Sequence, residues 1–410
     1  MSGEKRKKNG TRGHFGYTLL YFLILFSGVA IAAFHGGMYA SMLKKTGKAP
    51  EWLFAGFDWF VVFYIISIFI IFFLHIIIHE TGHLVFGLLS GYRFSSFRVG
   101  SLMWVKEEGK VRFKRLSIAG TGGQCLMVPP DMTDGKVPFV MFNLGGSLMN
   151  IIIGMVLLGL YPISKNTLYL PLFLQTAGII GIAAGLMNGI PMRLGNINND
   201  GYNTLEIGRN SEAMRAFWLQ LKLNGLAAQG IRIKDMPEEW FEIPDDEKMK
   251  NSILAVIGVL VENRLMDLHK FEEAEHLINE LLEKDTAIVE VHRRLLICDL
   301  IYCRLVRGNV YGQAGDLIDR RQKKFMTAMR NFLSVIRTEY ALALLERKDE
   351  KEARSIREKF EKSARSFPYP SEVESERELI DIADKRNLYG NLPGARDDNR
   401  GAVRSEDSMK

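Results

Sequence analysis

Cysteine is nearly absent. The three present, Cys125, Cys298 and Cys303, form no CxxC pair and show no metal-type spacing. So odd and sparse a set argues against a disulfide framework and suits a reducing compartment, with each cysteine an ordinary structural thiol. Equally absent is a basic stripe interleaved with aromatics, so nucleic acid is not an expected partner. The formal net charge of +6 is modest, and its placement says more than its size. Lys5, Arg6, Lys7, Lys8 and Arg12 crowd the N-terminus, where a solvated tail at an anionic membrane surface accounts for them. Charge is also unevenly spread: residues 16–190 are dominated by long apolar runs, whereas 200–410 are rich in Lys, Arg, Glu and Leu.

The apolar runs have the lengths that a bilayer selects. The first, at 17–34, approaches the ~20 residues needed to cross. Basic residues precede it, but it is long for a signal-peptide core and further spans follow, so it reads as a retained anchor. The second, at 59–90, would reach about 45 Å as one helix against a hydrocarbon core of about 30 Å, so it tilts or projects at one end. Two more are expected at about 137–160 and 169–190. Basic residues set the orientation. Segment 91–137 holds Arg93, Arg98, Lys106, Lys110, Arg112, Lys114, Arg115 and Lys136, while loop 36–58 has only Lys44, Lys45 and Lys48, and loop 161–168 only Lys165. Both termini and segment 91–137 are therefore expected in the cytoplasm of a multi-pass protein of a bacterial plasma membrane. Within 92–128 the period changes. Alternating apolar and polar positions flank a Glu-Glu-Gly-Lys turn, which predicts a β-hairpin ending in a glycine-rich loop at Gly122 and Gly123.

The second span carries IIIHETGHLVFGLL. His79 and His83 are four residues apart, so on a helix they project from one face a turn apart and can reach one Zn²⁺ ion. At about 3.6 residues per turn, Glu80 lies about 100° round from His79 and about 60° from His83, placed to take a proton from water rather than to ligate. An ionisable group in mid-span costs about 2.5–3.5 kcal/mol on insertion scales, so an idle Glu80 there is a poor expectation. From His83 to Arg93, the first charge beyond, is about ten residues or ~15 Å of helix, which puts the metal below the lipid surface near the cytoplasmic face. His75, one turn further back, reads as a helix-packing histidine, with a water-cavity or outer-sphere role as the alternative, and not as a ligand. A catalytic zinc needs a third protein ligand. The fourth span ends in MNGIPMRLGNINNDGYN, which offers Asn188, Pro191, Asp200 and Gly201; Asp200 is the natural carboxylate, since the neutral amide of Asn199 is a poor zinc ligand. For Asp200 to reach that depth, residues 188–200 must unwind and fold back, which is tolerated only where the backbone lines a cavity or is covered by protein.

These motifs, in this order, resemble the site-2 protease family of intramembrane zinc metalloproteases over roughly residues 57–203. That family pairs a transmembrane HExxH with a downstream Asn-x-x-Pro…Asp-Gly segment whose aspartate is the third ligand; the matching positions here are His79, Glu80, His83, Asn188, Pro191, Asp200 and Gly201. GGSLMN in the third span looks like the family's Gly-Pro-x-x-Asn element. The resemblance implies a substrate-orienting or oxyanion-stabilising role for Asn150, with interhelical hydrogen bonding as the competing role. Ser147 stands where the family has proline, and the gap from Pro191 to Asp200 is longer than its commonest pattern. The family also has a small membrane-associated sheet and a glycine-rich loop between these spans, proposed to pair with an unwound substrate segment. Gly122 and Gly123 would permit that close approach, and Asn188 and Pro191 would join them in holding substrate.

Beyond about Asn210 the pattern is helical with short breaks. NRLMDLHKFEEAEHLINELLEKDTAIVEVHRRLLICDL resembles tetratricopeptide-type helix pairs, the second pair starting about 36 residues after the first against a repeat of ~34. A non-repeat helical bundle is the alternative, and either suits a protein-binding module at the cytoplasmic mouth. The expected fold is mainly α: a polytopic helical membrane protein with about four transmembrane helices in 16–203 and a small membrane-associated β-hairpin or sheet in 92–128. A cytoplasmic all-α domain in 204–387 follows, with a basic tail at 1–15 and a polar, disordered tail at 388–410. The resemblance implies zinc-dependent hydrolysis of a peptide bond in or near the transmembrane segment of a membrane-bound protein or peptide precursor. The lipid bilayer would surround the site, and a protein partner would dock on the helical domain. The competing reading is a catalytically inactive membrane-anchored adaptor; a transporter fits poorly, because the four spans show no inverted repeat.

Overall fold

The computed structural model describes residues 30, 33–34, 36–47, 59–107, 109–118, 121–164, 167, 169–308 and 314–390. The expected span at 17–34 lies almost wholly outside these residues, as do the basic tail at 1–15 and nearly all of the tail at 388–410. The chain forms two compact units, one of Met1–Phe113, Gly120–Gly225 and Glu247–Val256, the other of Lys114–Ala119, Leu226–Asp246 and Ile257–Lys410.

In the first unit, α1 (residues 36–46) precedes α2 (Trp59–Leu89). Helix α3 (Val140–Leu160) is prolonged by a 3-10 turn to Ser164, and α4 (Leu170–Gly189) follows. Among the described residues, three helices are long and apolar enough to cross a membrane: Trp59–Leu89, Val140–Ser164 and Leu170–Gly189, of 31, 25 and 20 residues. That is one fewer than the four expected. Their burial is inverted relative to a water-soluble helix. On α2, Phe63, Ile65, Ile66, Phe69, Ile70 and Phe73 face outwards, while His75, Glu80 and Gly82 are buried. An apolar exterior around buried polar groups is what a lipid environment favours.

Helix α3 packs against both α2 and α4. Close approach rather than large side chains holds the first pair together. A Cβ at Gly82 would lie 2.3 Å from the Gly145 carbonyl oxygen, so the two backbones touch, as small residues allow between membrane helices.

The alternating segment forms a four-stranded antiparallel sheet rather than a lone hairpin. Strands β1 (Arg93–Val99), β2 (Leu102–Glu107), β3 (Lys110–Arg115) and β4 (Gly123–Val128) are ordered β3-β2-β1-β4. Register is set by pairs such as Phe97 with Trp104 and Phe97 with Cys125. Its inner face joins a cluster of Tyr92, Cys125, Met127, Val137, Phe142 and Leu221, in which the Tyr92 and Phe142 rings stack at 4.6 Å. β4 is therefore a sheet edge and, with β1, packs on α2. After α4, a two-stranded hairpin of β5 (Arg193–Leu194) and β6 (Ile197–Asn198) leads to α5 (Asp200–Arg209) and α6 (Ser211–Ala228).

Apart from Lys114–Ala119, the second unit is built of helices: most of α7 (Ser252–Asp267), then α8 (Phe271–Glu283), α9 (Glu290–Arg307), α10 (Arg320–Ala328), α11 (Leu333–Ala341), α12 (Glu350–Ser366) and α13 (Pro370–Gly390). Its core gathers Cys298, Ile301, Met326, Val335 and Leu342. All three cysteines are free and buried. Charge is buried here as well: the Arg337 guanidinium is enclosed and donates to Asp299 and, at 2.9 Å, to Glu376.

Candidate metal centre

Helix α2 brings His75, His79, Glu80 and His83 onto its inner side over about two and a half turns. The carboxylate that meets them comes from the chain after α4. α4 ends where Ile190 turns extended (φ −73°, ψ 124°), its N–H still bonded to Leu186. β5 and β6 then double back through Gly195, whose φ of +61° takes it into the left-handed region. This hairpin is the fold-back that the long spacing between Pro191 and Asp200 calls for.

Asn199 closes the hairpin with its whole carboxamide. Oδ1 accepts from the N–H groups of Met192 (3.0 Å) and Tyr202 (2.9 Å), while Nδ2 donates to the carbonyls of Met187 (2.7 Å) and Ile190 (2.6 Å). Four bonds from one side chain stitch the end of α4 to the start of α5. As the N-cap of α5, Asn199 also satisfies an N–H that a helix start leaves without a partner. Asp200 is the next residue, so its position is set by this knot.

Asp200 Oδ2 lies 3.1 Å from His79 Nε2 and 3.5 Å from His83 Nε2, and the two Nε2 atoms are 3.1 Å apart. Donors each ~2.0–2.1 Å from one tetrahedral centre stand about 3.3–3.4 Å from one another. The observed triangle has that size. Among the described residues, His79, His83 and Asp200 are the only group of three or more His, Cys, Asp or Glu side chains that could hold a metal ion. His83 is oriented from behind, since its Nδ1 donates to the Phe142 carbonyl of α3 at 2.7 Å. In a neutral imidazole the proton is then on Nδ1, which leaves the Nε2 lone pair on the side of Asp200.

Glu80 is buried beside these donors and lies against β4: a Cβ at Gly123 would sit 2.7 Å from Glu80 Cγ and 2.8 Å from Oε1. Only a residue without a side chain lets the strand edge come this close. The neighbouring loop is braced by Arg98, fully buried, which donates to the Gly100 carbonyl at 2.7 Å and to the Thr121 hydroxyl at 2.6 Å. Gly122 backs onto Ile76, and its carbonyl accepts from Gly100 N–H at 2.8 Å. Asn150 is enclosed, its carboxamide 3.1 Å from His75 Nδ1 and 3.4 Å from His79 Nδ1. The structure thus engages it with two imidazoles. Asn188 donates to Ala184 of its own helix at 3.2 Å. Pro191 and Gly201 meet each other where the chain returns: a Cβ at Gly201 would lie 2.9 Å from Pro191 N and 2.2 Å from the Gly189 oxygen.

No family model, curated protein or solved structure matches this chain. The centre stands on its own geometry.

Several contributors carry no sequence signal of their own. The Phe142 carbonyl is backbone. Gly146 is one glycine among 38, yet a Cβ there would fall 2.5 Å from His79 Cε1. Arg98 counts in the sequence only as one of the charges that set orientation. Asn199 is noticed beside Asp200, but nothing local announces its four bonds.

Proposed function

We propose that this chain is a zinc-dependent intramembrane endopeptidase of the site-2 protease kind. On this reading it cuts a peptide bond in or near the transmembrane segment of a membrane-bound protein or peptide precursor. The observation that carries the reading is the convergence of two imidazole Nε2 atoms from α2 and one carboxylate oxygen from α5 within 3.1–3.5 Å of each other. Two histidines and a carboxylate, with one position left for water or substrate, is a ligand set of catalytic rather than structural zinc.

Zinc held there supplies a Lewis acid that acidifies water and polarises the scissile carbonyl. Glu80, next to His79 on the same helix, would serve as the general base that accepts a proton from water and returns it to the leaving amine. His79, His83 and Asp200 would hold the metal. The edge strand β4, with Gly123 against Glu80, gives an unwound substrate segment a row of backbone partners. A substrate helix hides its peptide bonds, and adding it to a strand edge exposes them beside the base. Gly122 and Gly123 are the substrate-facing candidates, with Asn188 at the end of α4 and Pro191 at the start of the return loop. Both termini and the C-terminal helical unit belong to the cytoplasmic side on this reading, and that unit offers a surface for a protein partner. Its helices run from 9 to 21 residues without a fixed repeat, which favours a bundle over a tetratricopeptide array.

The test is Glu80→Gln in the full chain. Cleavage of membrane peptides, compared by proteomics with wild type, is expected to fall by about 10²–10⁴-fold, with zinc content and helicity unchanged. Full activity in that variant refutes the assignment of Glu80. Wild-type protein purified with less than a trace of zinc favours a membrane-anchored adaptor instead.

A further inference from the structure

His75 stands one turn before His79 and is 4% exposed in a helix that otherwise presents apolar surface. It binds no member of the His79–His83–Asp200 cluster. Its two ring nitrogens are nonetheless both engaged: Nε2 lies 2.9 Å from the Ala177 carbonyl oxygen of α4, and Nδ1 lies 3.1 Å from the Asn150 carboxamide of α3. The other end of that carboxamide is 3.4 Å from His79 Nδ1. The four groups form one line of contacts, from a backbone carbonyl through His75 and Asn150 to His79.

We propose that His75 and Asn150 are positioning residues that hold His79 in the tautomer whose Nε2 is a bare lone pair; this rests on the zinc reading above. The direction of the line is fixed at its far end. A carbonyl oxygen only accepts, so His75 Nε2 carries the proton that it donates to Ala177. A neutral imidazole has one such proton, which makes His75 Nδ1 an acceptor that needs a donor. Among the described residues the only donor that can reach it is the Asn150 NH₂ group, once the carboxamide is turned. In the structure Oδ1 faces His75 Nδ1 and Nδ2 faces His79 Nδ1; a half turn of the carboxamide exchanges the two while keeping both contacts, and the hydrogen-bond network decides which end faces which ring. With NH₂ turned to His75, Oδ1 faces His79 Nδ1, which then must donate. The proton of His79 is thereby placed on Nδ1, and Nε2 is free to ligate.

The opposite direction needs a doubly protonated His75. That would be a buried cation between an amide and a carbonyl, with no carboxylate among its hydrogen-bond partners, inside a membrane helix bundle. Packing also denies His75 another position, since a Cβ at Gly181 would lie 2.4 Å from its Cε1. His83 reaches the same end in one step, through the Phe142 carbonyl. His79 has no carbonyl behind it, and the relay supplies one at a distance. Metal-ligating histidines generally have the other ring N–H held by an acceptor, and losing that acceptor weakens metal binding about 10–100-fold.

The experiment measures zinc affinity of the full-length protein in detergent, by competition with a chromophoric chelator. The cobalt(II) absorption spectrum and helical circular dichroism are recorded alongside. Asn150→Leu keeps the volume and removes the acceptor, and is expected to weaken zinc by about 10–100-fold with a changed cobalt spectrum and unchanged helicity. Asn150→Asp returns an acceptor to His79 Nδ1 but gives His75 Nδ1 no donor, and is expected to recover part of that loss. His75→Phe releases the carboxamide and is expected to fall between Leu and wild type. Equal zinc affinity in Asn150→Leu and wild type overturns the relay, and so does an Asp variant no better than Leu. Should Asn150→Leu fail to fold, the His75→Phe variant decides: the relay requires it to bind zinc more weakly than wild type. A wild-type protein that binds no zinc would instead sink the metal centre, which keeps the two failures apart.

Discussion

Gly146 and Gly123 act through what they lack, and each guards a different part of the centre. A Cβ at Gly146 would come within 2.5 Å of His79 Cε1 and 2.6 Å of Nε2, so Gly146→Ala must displace the imidazole. Its zinc affinity is expected to drop by at least about tenfold, the scale of a disturbed metal surrounding, as read by chelator competition. Gly159→Ala on the same helix is the control, because a Cβ there meets nothing within 4 Å. Gly123→Ala pushes on Glu80 instead, whose Cγ would be 2.7 Å from the new methyl. Peptide cleavage is expected to slow by about 10²-fold or more while zinc content stays at the wild-type level. Opposite outcomes, zinc lost at Gly123 and kept at Gly146, would reverse the assignment of base and ligands. Neither glycine is distinguishable by eye from its neighbours in the sequence, since closeness to a residue on another helix is not a local property.

At the scale of elements, the β5–β6 hairpin converts an awkward spacing into a ligand. Without Asn199 the end of α4 and the start of α5 lose four hydrogen bonds. A missing N-cap alone costs about 0.5–2 kcal/mol. Asn199→Ala is therefore expected to loosen Asp200 and weaken zinc by about 10–100-fold. Asn199→Asp keeps both acceptor bonds, loses both donor bonds, and should lie between the two. Isothermal or competitive zinc titration of the three proteins checks the order, and an Ala variant as tight as wild type would show that Asp200 is held by something else. The alternation in 92–128 foretells strands, but not that β4 returns to pair with β1 and so becomes the free edge beside Glu80. Strand order depends on which edges the loop after Arg115 can reach, and alternation carries no information about that.

Across the whole molecule, the C-terminal helical unit has its own condition for stability. Glu262 is fully buried, and neither carboxyl oxygen has a hydrogen-bond partner. Burial, then the charge of Asp299, push its pKa well above the ordinary value of 4.5, with Arg337 opposing and Glu376 adding to the rise. The half-buried Glu372 is pushed up to about 8 by burial and by Glu376. An acid of raised pKa keeps a proton in the folded unit that the unfolded chain releases. The native state is therefore favoured most below the ordinary carboxylate pKa and loses ground as pH climbs from 4.5 to about 8. Thermal unfolding of the full chain is expected to start at lower temperature at pH 8 than at pH 6. Glu262→Gln should shrink the gap, raising the pH 8 midpoint by about 2–4 °C for each kcal/mol recovered. A pH-independent midpoint in wild type would contradict it.

The sequence by itself determined whatever depends on near neighbours. Helical period places His79 and His83 on one face with Glu80 at their side, run length marks the apolar helices, alternation marks the strands, and the carboxylate at Asp200 is visible as the first acid after the last span. Tertiary structure alone decided what faces what across the chain: the carbonyls of Phe142 and Ala177, the carboxamide of Asn150 between two imidazoles, and the Asn199 knot. The physical reason is range. Spacing along a helix is fixed by covalent geometry and local hydrogen bonds, whereas a contact between residues 71 apart, such as Asn150 with His79, exists only because glycines let two backbones meet and the buried polar groups there have nowhere else to find a partner.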